Sequence, residues 1–217
     1  MTTIAVEQQI LNANDQIAAE NRAAIDAAGT LAVNVMASPG AGKTSLILAT
    51  AARLPADVRP AVIEGDLASR IDADTMAAAG IDVVQINTGG SCHLDAPMVR
   101  SALPELLANR PNLLFIENVG NLICPAEFAL GSHLNLVIAS APEGHDKPYK
   151  YPGMFAAADA VVLNKADVLA VFDFDVDFFQ RGLAMVNQHA PLFVVSCRSG
   201  DGLDAWVAWL LAQRGRK

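Results

Sequence analysis

Seven short runs dense in Val, Ile and Leu constrain this chain more than any other feature. They are LAVNVMA from Leu31, PAVIEGD from Pro60, DVVQINT from Asp82, NLLFIEN from Asn112, LNLVIAS from Leu134, DAVVLNK from Asp159 and PLFVVSC from Pro191. Segments of helical character separate them. Runs that are almost continuously apolar, rather than alternating, fit strands buried on both faces of a parallel sheet. The expected fold is therefore α/β and doubly wound, a mostly parallel seven-stranded sheet with helices on both faces. Ahead of it, Ile10, Ile17 and Ile25 recur at spacings of seven and eight between Val6 and Ala28, and Gly29 follows. That pattern predicts an N-terminal amphipathic helix within residues 1–29.

No Ser/Gly-rich or Pro-rich linker interrupts the 217 residues, so a single domain over 1–217 is expected. A chain that is 53% hydrophobic and 18% charged can bury a large core, which excludes intrinsic disorder. Fifteen Lys and Arg against 23 Asp and Glu leave a net charge of −8. Nucleic acid and anionic membrane surfaces, which need clustered cations, are not expected partners. With no long uncharged apolar stretch and no basic region ahead of one, a soluble, cytoplasmic protein is the expectation. The three cysteines, Cys92, Cys124 and Cys197, are too sparse for a disulfide framework and read as reduced thiols.

In a doubly wound sheet, ligands bind beyond the carboxyl ends of the strands. Directly after the first run stands Ala37-Ser38-Pro39-Gly40-Ala41-Gly42-Lys43-Thr44, followed by a helical segment from Ser45. This is a P-loop in strand-loop-helix context, with Ala37 at the position usually held by the first glycine. Its backbone N–H groups would cradle a β-phosphate, Lys43 would add a charge at the β/γ oxygens and the Thr44 hydroxyl would hold Mg²⁺. The site so predicted spans Gly40, Ala41, Gly42, Lys43, Thr44 and Ser45.

Asn164-Lys165-Ala166-Asp167, at the end of the sixth run, matches N-K-x-D. The Asp167 carboxylate can accept from guanine N1–H and the 2-amino group, two donors that adenine lacks, so GTP/GDP is the expected ligand. Ser196, Cys197 and Arg198, following the last predicted strand, stand where such folds contact the base. Acids end two other runs: Asp66, with Asp72 beyond it, and Glu117. Asp66 and Glu117 are favoured for the Mg²⁺ shell and, with Lys43, for catalysis, against the simpler role of capping helices. No Gln occupies an obvious water-positioning place, so slow intrinsic hydrolysis is expected, on the order of 10⁻³ s⁻¹ or below.

Gly89-Gly90-Ser91-Cys92-His93 follows the third run and Cys124 lies seven residues after Glu117. Cys92, His93 and Cys124 form a soft S/N donor set suited to Ni²⁺ or Zn²⁺ and poor for Mg²⁺. Burial as small apolar side chains is the plain alternative for each cysteine. His133 and His189 read as structural, His145 as either, and Trp206 and Trp209 as core.

ASPGAGKT, EGD, GGSCHLDA, ENVGNLICPAE, SAPEGHDKPYKYPGMF, NKAD and SCRSGDGLDAWVAWL occur in this order over nearly the whole chain. Together they resemble the HypB family of hydrogenase nickel-incorporation GTPases, members of the dimerising P-loop GTPases together with the urease accessory protein UreG. The resemblance implies a P-loop NTPase that delivers nickel to the large subunit of [NiFe]-hydrogenase and forms a GTP-dependent homodimer. Its implied partners are a hydrogenase maturation accessory protein and the hydrogenase large subunit precursor. It further implies that Cys92, His93 and Cys124 bind metal at the dimer interface and that Lys147 reaches across to the partner's guanine. Two alternatives are a urease-type nickel maturation GTPase, whose metal segment carries a Cys-Pro-His order not found at Cys92-His93-Leu94, and a metal-storage or regulatory protein with a vestigial GTPase site. This chain has neither an N-terminal Cys-rich motif nor a His-rich tract, so high-capacity nickel storage is not expected. Ser69-Arg70 replaces a further acid often found after EGD.

Overall fold

The structure, a computed structural model, describes residues 6–66 and 69–215. Its strands are β1 (Leu31–Ala37), β2 (Pro60–Asp66), β3 (Asp82–Asn87), β4 (Leu113–Glu117), β5 (Leu134–Ser140), β6 (Ala160–Asn164) and β7 (Leu192–Val194). Each lies within one of the seven apolar runs. They form a single sheet in the order β3-β2-β4-β1-β5-β6-β7, and every pairing is parallel. The helices are α1 (Val6–Ala27), α2 (Lys43–Ala51), α3 (Ile71–Ala78), α4 (Ala96–Ala108), α5 (Lys147–Lys150), α6 (Pro152–Ala156), α7 (Val176–Val186) and α8 (Leu203–Arg214). Short 3₁₀ turns cover 124–126, 141–143 and 166–172.

The near-continuous apolar runs follow from a sheet covered on both sides. Successive strand residues point to opposite faces, and in β1 each direction meets a helix layer. Val33 and Val35 pack with Leu46 and Ile47 of α2, Met76 of α3 and Trp206 of α8. On the other face, Ala32 packs with Ile25 of α1 and Val99 and Leu103 of α4, while Met36 packs with Phe155 of α6 and Phe179 of α7. Full burial of side chains this size is worth about 1.5–3 kcal/mol each, so the strands at the centre fix the fold. Burial on both faces does not extend to the edges: β3 and β7 are largely half-buried because each has a neighbour on one side only.

The N-terminal helix forms as expected, its buried stripe including Ile25 but turned partly away from Ile17. Asn14, Ala18, Asn21 and Ile25 are buried, whereas Ile17 is only half-buried; the Ile10 side chain and residues 1–5 lie outside the described residues. The buried stripe is thus half polar, and its two asparagines are hydrogen-bonded to distant backbone. His133 is structural: its Nδ1 accepts from Ala32 N at 2.9 Å and its Nε2 meets Asp26 of α1 at 2.8 Å. His145 is also structural, with Nδ1 accepting from Asp175 N at 3.1 Å and its ring edge-on to Phe174 and Phe178. His189 is exposed beside an Asn187 turn. Trp206 is fully buried with Nε1 donating to Thr50 Oγ1 at 2.9 Å, and the half-buried Trp209 stacks on it. Among the described residues no helix is long and apolar enough to cross a membrane.

Candidate nucleotide site and adjoining metal centre

The first motif leaves β1 at Ala37 and enters α2 at Lys43. Gly40 and Gly42 have φ of 76° and 103°, a region that favours glycine. Gly42 has a second constraint, since a Cβ there would lie 2.4 Å from Asn164 Nδ2. Asn164 ends β6, and its Nδ2 donates to Ala41 O at 3.0 Å while Lys165 Nζ donates to Gly40 O at 2.6 Å. The N-K-x-D segment therefore braces the loop as well as facing the cleft. Asn164 Oδ1 also accepts from Lys165 N at 2.7 Å and Cys197 N at 3.3 Å.

Between these segments lies a cleft of about 340 Å³, lined by Gly42, Ser45, Asn164, Lys165, Asp167, Val168, Cys197 and Arg198. That volume lies at the small end of the range for small-molecule sites. Ser196 Oγ donates to Asp167 Oδ1 at 2.7 Å, which orients a carboxylate that is itself exposed to the cleft. Burial pushes the Cys197 thiol up to about 11, so it stays protonated and unreactive beside the cleft.

Acids converge at the other end of the loop. Thr44 Oγ1 donates to Glu117 Oε1 at 2.8 Å, and Glu117 Oε2 is buried without a hydrogen-bond partner among the described residues. Beside it in register on β2 is Glu64, also buried, whose Oε2 is unpartnered too. Burial is the main cause that raises Glu64 to about 8 and Glu117 to about 7, with Asp66 and Asp72 adding negative field to both and Lys43 opposing the shift at Glu117. Two hard carboxylate oxygens held dry beside a hydroxyl suit a divalent cation such as Mg²⁺. Asp66 and Asp72 belong to the same electrostatic cluster, and Asp66 also accepts from Ser69 N at 2.7 Å in the turn ahead of α3, whose N-cap is Arg70, so it does not cap that helix.

Two residues of this site carried no assignment from the sequence. Glu64 stood beside Asp66 in the EGD triplet, and only its register opposite Glu117 brings it into the acid cluster. Glu143 accepts from Ser140 Oγ at 2.7 Å and from Ser38 Oγ, tying the segment after β5 to the P-loop. Its sequence signal was its place in SAPEGHDK, from which only Lys147 was singled out.

Cys92, His93 and Cys124 come together as expected, with ligand atoms all within 4.8 Å of one another. The sulfurs of Cys92 and Cys124 are 3.2 Å apart. Two sulfurs on one ion at ~2.3 Å each can lie at most ~4.6 Å apart, so this spacing admits a shared metal. His93 stacks on Phe128 with centroids 4.0 Å apart, and burial lowers its pKa, which favours the neutral imidazole that binds metals. Hydrogen bonding with Cys92 and burial raise Cys124.

Asn121 connects the two sites. Its N donates to Ala37 O at 2.8 Å, its Nδ2 donates to Cys92 O at 3.4 Å and its Oδ1 accepts from Ile123 N at 2.9 Å. One residue earlier, a Cβ on Gly120 would lie 2.9 Å from Pro39 N. The strand-exit segment thus touches the P-loop and both cysteine segments. Lys147 opens α5 with its Nζ 3.3 Å from Asp146 Oδ1, a carboxylate also paired with Lys150, so within its own chain it is engaged away from the base cleft.

Residues 31–194 match the family described as CobW/HypB/UreG, nucleotide-binding domain. Over 212 residues the chain is 49% identical to the hydrogenase maturation factor HypB of Azotobacter vinelandii, covering 98% of this chain and 70% of that one. The HypB of Helicobacter pylori, solved in complex with nickel, superposes with a TM-score of 0.88 at 38% identity over 94% of this chain and 95% of its own. The hydrogenase maturation factor HypB of Archaeoglobus fulgidus gives the same TM-score at 36% identity, over 94% of this chain and all of its own.

Proposed function

Since the chain belongs to the HypB branch of the CobW/HypB/UreG nucleotide-binding family, we propose that it is a GTP-hydrolysing metallochaperone that supplies nickel for [NiFe]-hydrogenase maturation. The observation that carries the proposal is the three-residue S/N cluster, joined through Asn121 to a P-loop whose base cleft presents Asp167. A storage protein would have no need of that connection.

In this reading the backbone N–H groups of residues 40–45 and the Lys43 ammonium hold the nucleotide phosphates, and Asp167 selects guanine. Ser196, Cys197 and Arg198 line the base side. Thr44 and Glu117, with Asp66 and Asp72 around them, hold Mg²⁺, which neutralises developing phosphate charge when bound. Lys43 and the acids orient the γ-phosphate, and without a side chain that positions water the turnover is slow. Nickel is cargo rather than a resident cofactor. Three protein ligands leave a position open for water or for a receiving protein, and Zn²⁺ competes for the same donors. The functional unit is a GTP-dependent homodimer in which Lys147 exchanges Asp146 for the partner's guanine. The partners are a maturation accessory protein and the hydrogenase large subunit precursor, all in the cytoplasm.

The test is a turnover and binding comparison on the purified chain. GTP is expected to be hydrolysed slowly and ATP not at all, and Asp167→Asn is expected to weaken GTP while favouring a xanthine nucleotide, whose 2-oxo group accepts from the new amide. Cys92→Ala, His93→Ala and Cys124→Ala are expected to lose Ni²⁺ and keep GTP. Equal turnover of ATP and GTP, or nickel binding that survives all three substitutions, would sink the assignment.

A further inference from the structure

Besides the packing of Ala18 and Ile25, helix α1 carries two buried asparagines whose side chains bond segments far apart in sequence. Asn14 Oδ1 accepts from Ala96 N at 2.8 Å, and its Nδ2 donates to Ala129 O at 2.8 Å. Asn21 Nδ2 donates to Ala96 O at 2.9 Å and to Leu130 O at 3.0 Å. Arg22 continues the row, with Nε donating to Gly131 O at 2.8 Å and Nη2 to Ser132 O. The two segments so joined are the exits of the two metal-bearing loops. Ala96 is three residues beyond His93, and Ala129 is five residues beyond Cys124.

The second segment also lies directly on the helix. Gly131 has φ of +94°, and a Cβ there would come within 2.7 Å of Ala18 O. Leu130 of this segment is buried in the core, and a cleft of about 500 Å³, bordered by Asp15, Asn34, Pro125, Phe128 and Asn135, runs along its outer side. Phe128, the stacking partner of His93, belongs to the same stretch. Buried Leu94, Pro125 and Leu130 root these segments in the core, and the hydrogen bonds from α1 tie the two exits to each other.

We infer that Asn14 and Asn21 are positioning residues for the Cys92/His93/Cys124 centre: they clamp its two loops together, fixing the gap between the sulfurs and so the affinity for nickel without touching the ion. The inference rests on the nickel reading above. Removing a partner that orients a metal ligand typically costs 10–100-fold in affinity. A role in folding alone would leave the sulfur spacing unchanged in any variant that folds.

The experiment uses the whole chain as wild type, Asn14→Ala, Asn21→Ala and Asn14→Asp, with Glu20→Ala as control. Glu20 pairs with Arg100 of α4 at 3.2 Å, so its loss loosens α1 at the surface and leaves both asparagines in place. Asn14→Asp keeps the acceptor for Ala96 N and loses the donor to Ala129 O, and so releases only the Cys124 side. One readout needs no metal: the rate at which diamide, which takes up the two electrons and two protons of the thiol pair, closes a Cys92–Cys124 disulfide located by peptide mass. The others are Ni²⁺ titration by sulfur-to-nickel charge-transfer absorption and GTP affinity on the same sample. Asn14→Ala and Asn21→Ala are expected to slow disulfide closure and weaken nickel by about 10–100-fold, with Asn14→Asp between them and wild type. GTP affinity and the Glu20→Ala protein are expected to match wild type. A folded Asn14→Ala or Asn14→Asp protein with wild-type closure rate and nickel affinity would overturn the inference. Slowed closure in a set of proteins that never binds nickel, wild type included, would uphold the clamp and reject the nickel reading.

Discussion

At the scale of single residues, the densest chemistry is the Glu64/Glu117 pair on neighbouring strands. Both are 2% exposed, and each keeps one oxygen without a partner among the described residues. Such acids destabilise a fold when ionised unless a cation answers them. The sign of their pH effect follows from the direction of the shifts. Both groups start from 4.5, and the folded chain holds their protons up to about 8 and about 7. Their contribution is fully present below pH 4.5 and is lost as pH rises through about 7 and then about 8, with a slope of at most about 1.4 kcal/mol per pH unit for each group. The metal-free protein is therefore expected to lose stability from pH 5 to 8, and Glu64→Gln to flatten that decline, as followed by urea unfolding across the range. A Glu64→Gln protein with the wild-type slope would show that Glu64 is ionised throughout.

At the scale of elements, the exit from β4 decides whether the two sites communicate. Gly120 lies against Pro39, and Asn121 ties Ala37 to Cys92. A side chain on Gly120 must displace backbone, because the nearest atoms are Pro39 N at 2.9 Å and Pro39 Cα at 3.0 Å. Gly120→Ala is expected to cost about 1–3 kcal/mol in stability through overpacking and to weaken GTP, although it contacts neither ligand. Denaturant unfolding and nucleotide titration on one preparation measure both. An intact fold with unchanged GTP affinity would show that the contact plays no part in the loop's shape. The seven strands and the P-loop were legible because each rests on a local pattern, an apolar run or a glycine spacing, whereas Cys124 lies 31 residues beyond His93 and was joined to it by the resemblance of the ordered motifs to a known family. The sequence hid the polar half of the α1 face, where Asn14 and Asn21 join the buried Ile25 through long-range bonds that a period of isoleucines does not reveal. It also hid Glu143 and Glu64, whose roles depend on which strands become neighbours.

At the scale of the whole molecule, the sheet order sets β4 beside β1, so the strand that ends at Glu117 and the one that leads into the P-loop share an edge. A γ-phosphate that shifts Glu117 would pull on the seven residues leading to Cys124. This makes the strand-exit segment a candidate two-state element. Coupling of this kind is reciprocal, so a nucleotide that changes nickel affinity must have its own affinity changed by the same factor, typically ~5–150-fold. Ni²⁺ and Zn²⁺ need not respond alike, since a planar and a tetrahedral set would pull differently on the same three ligands. The most direct measurement is nickel titration of the GDP-bound and GTP-analogue-bound forms, with molecular mass followed in parallel by light scattering. A GTP-analogue form that is dimeric and differs from the GDP form in nickel affinity, with the reciprocal change in nucleotide affinity, is the predicted result. Identical nickel affinities in the two forms would contradict it, because no difference in free energy would then exist to drive release.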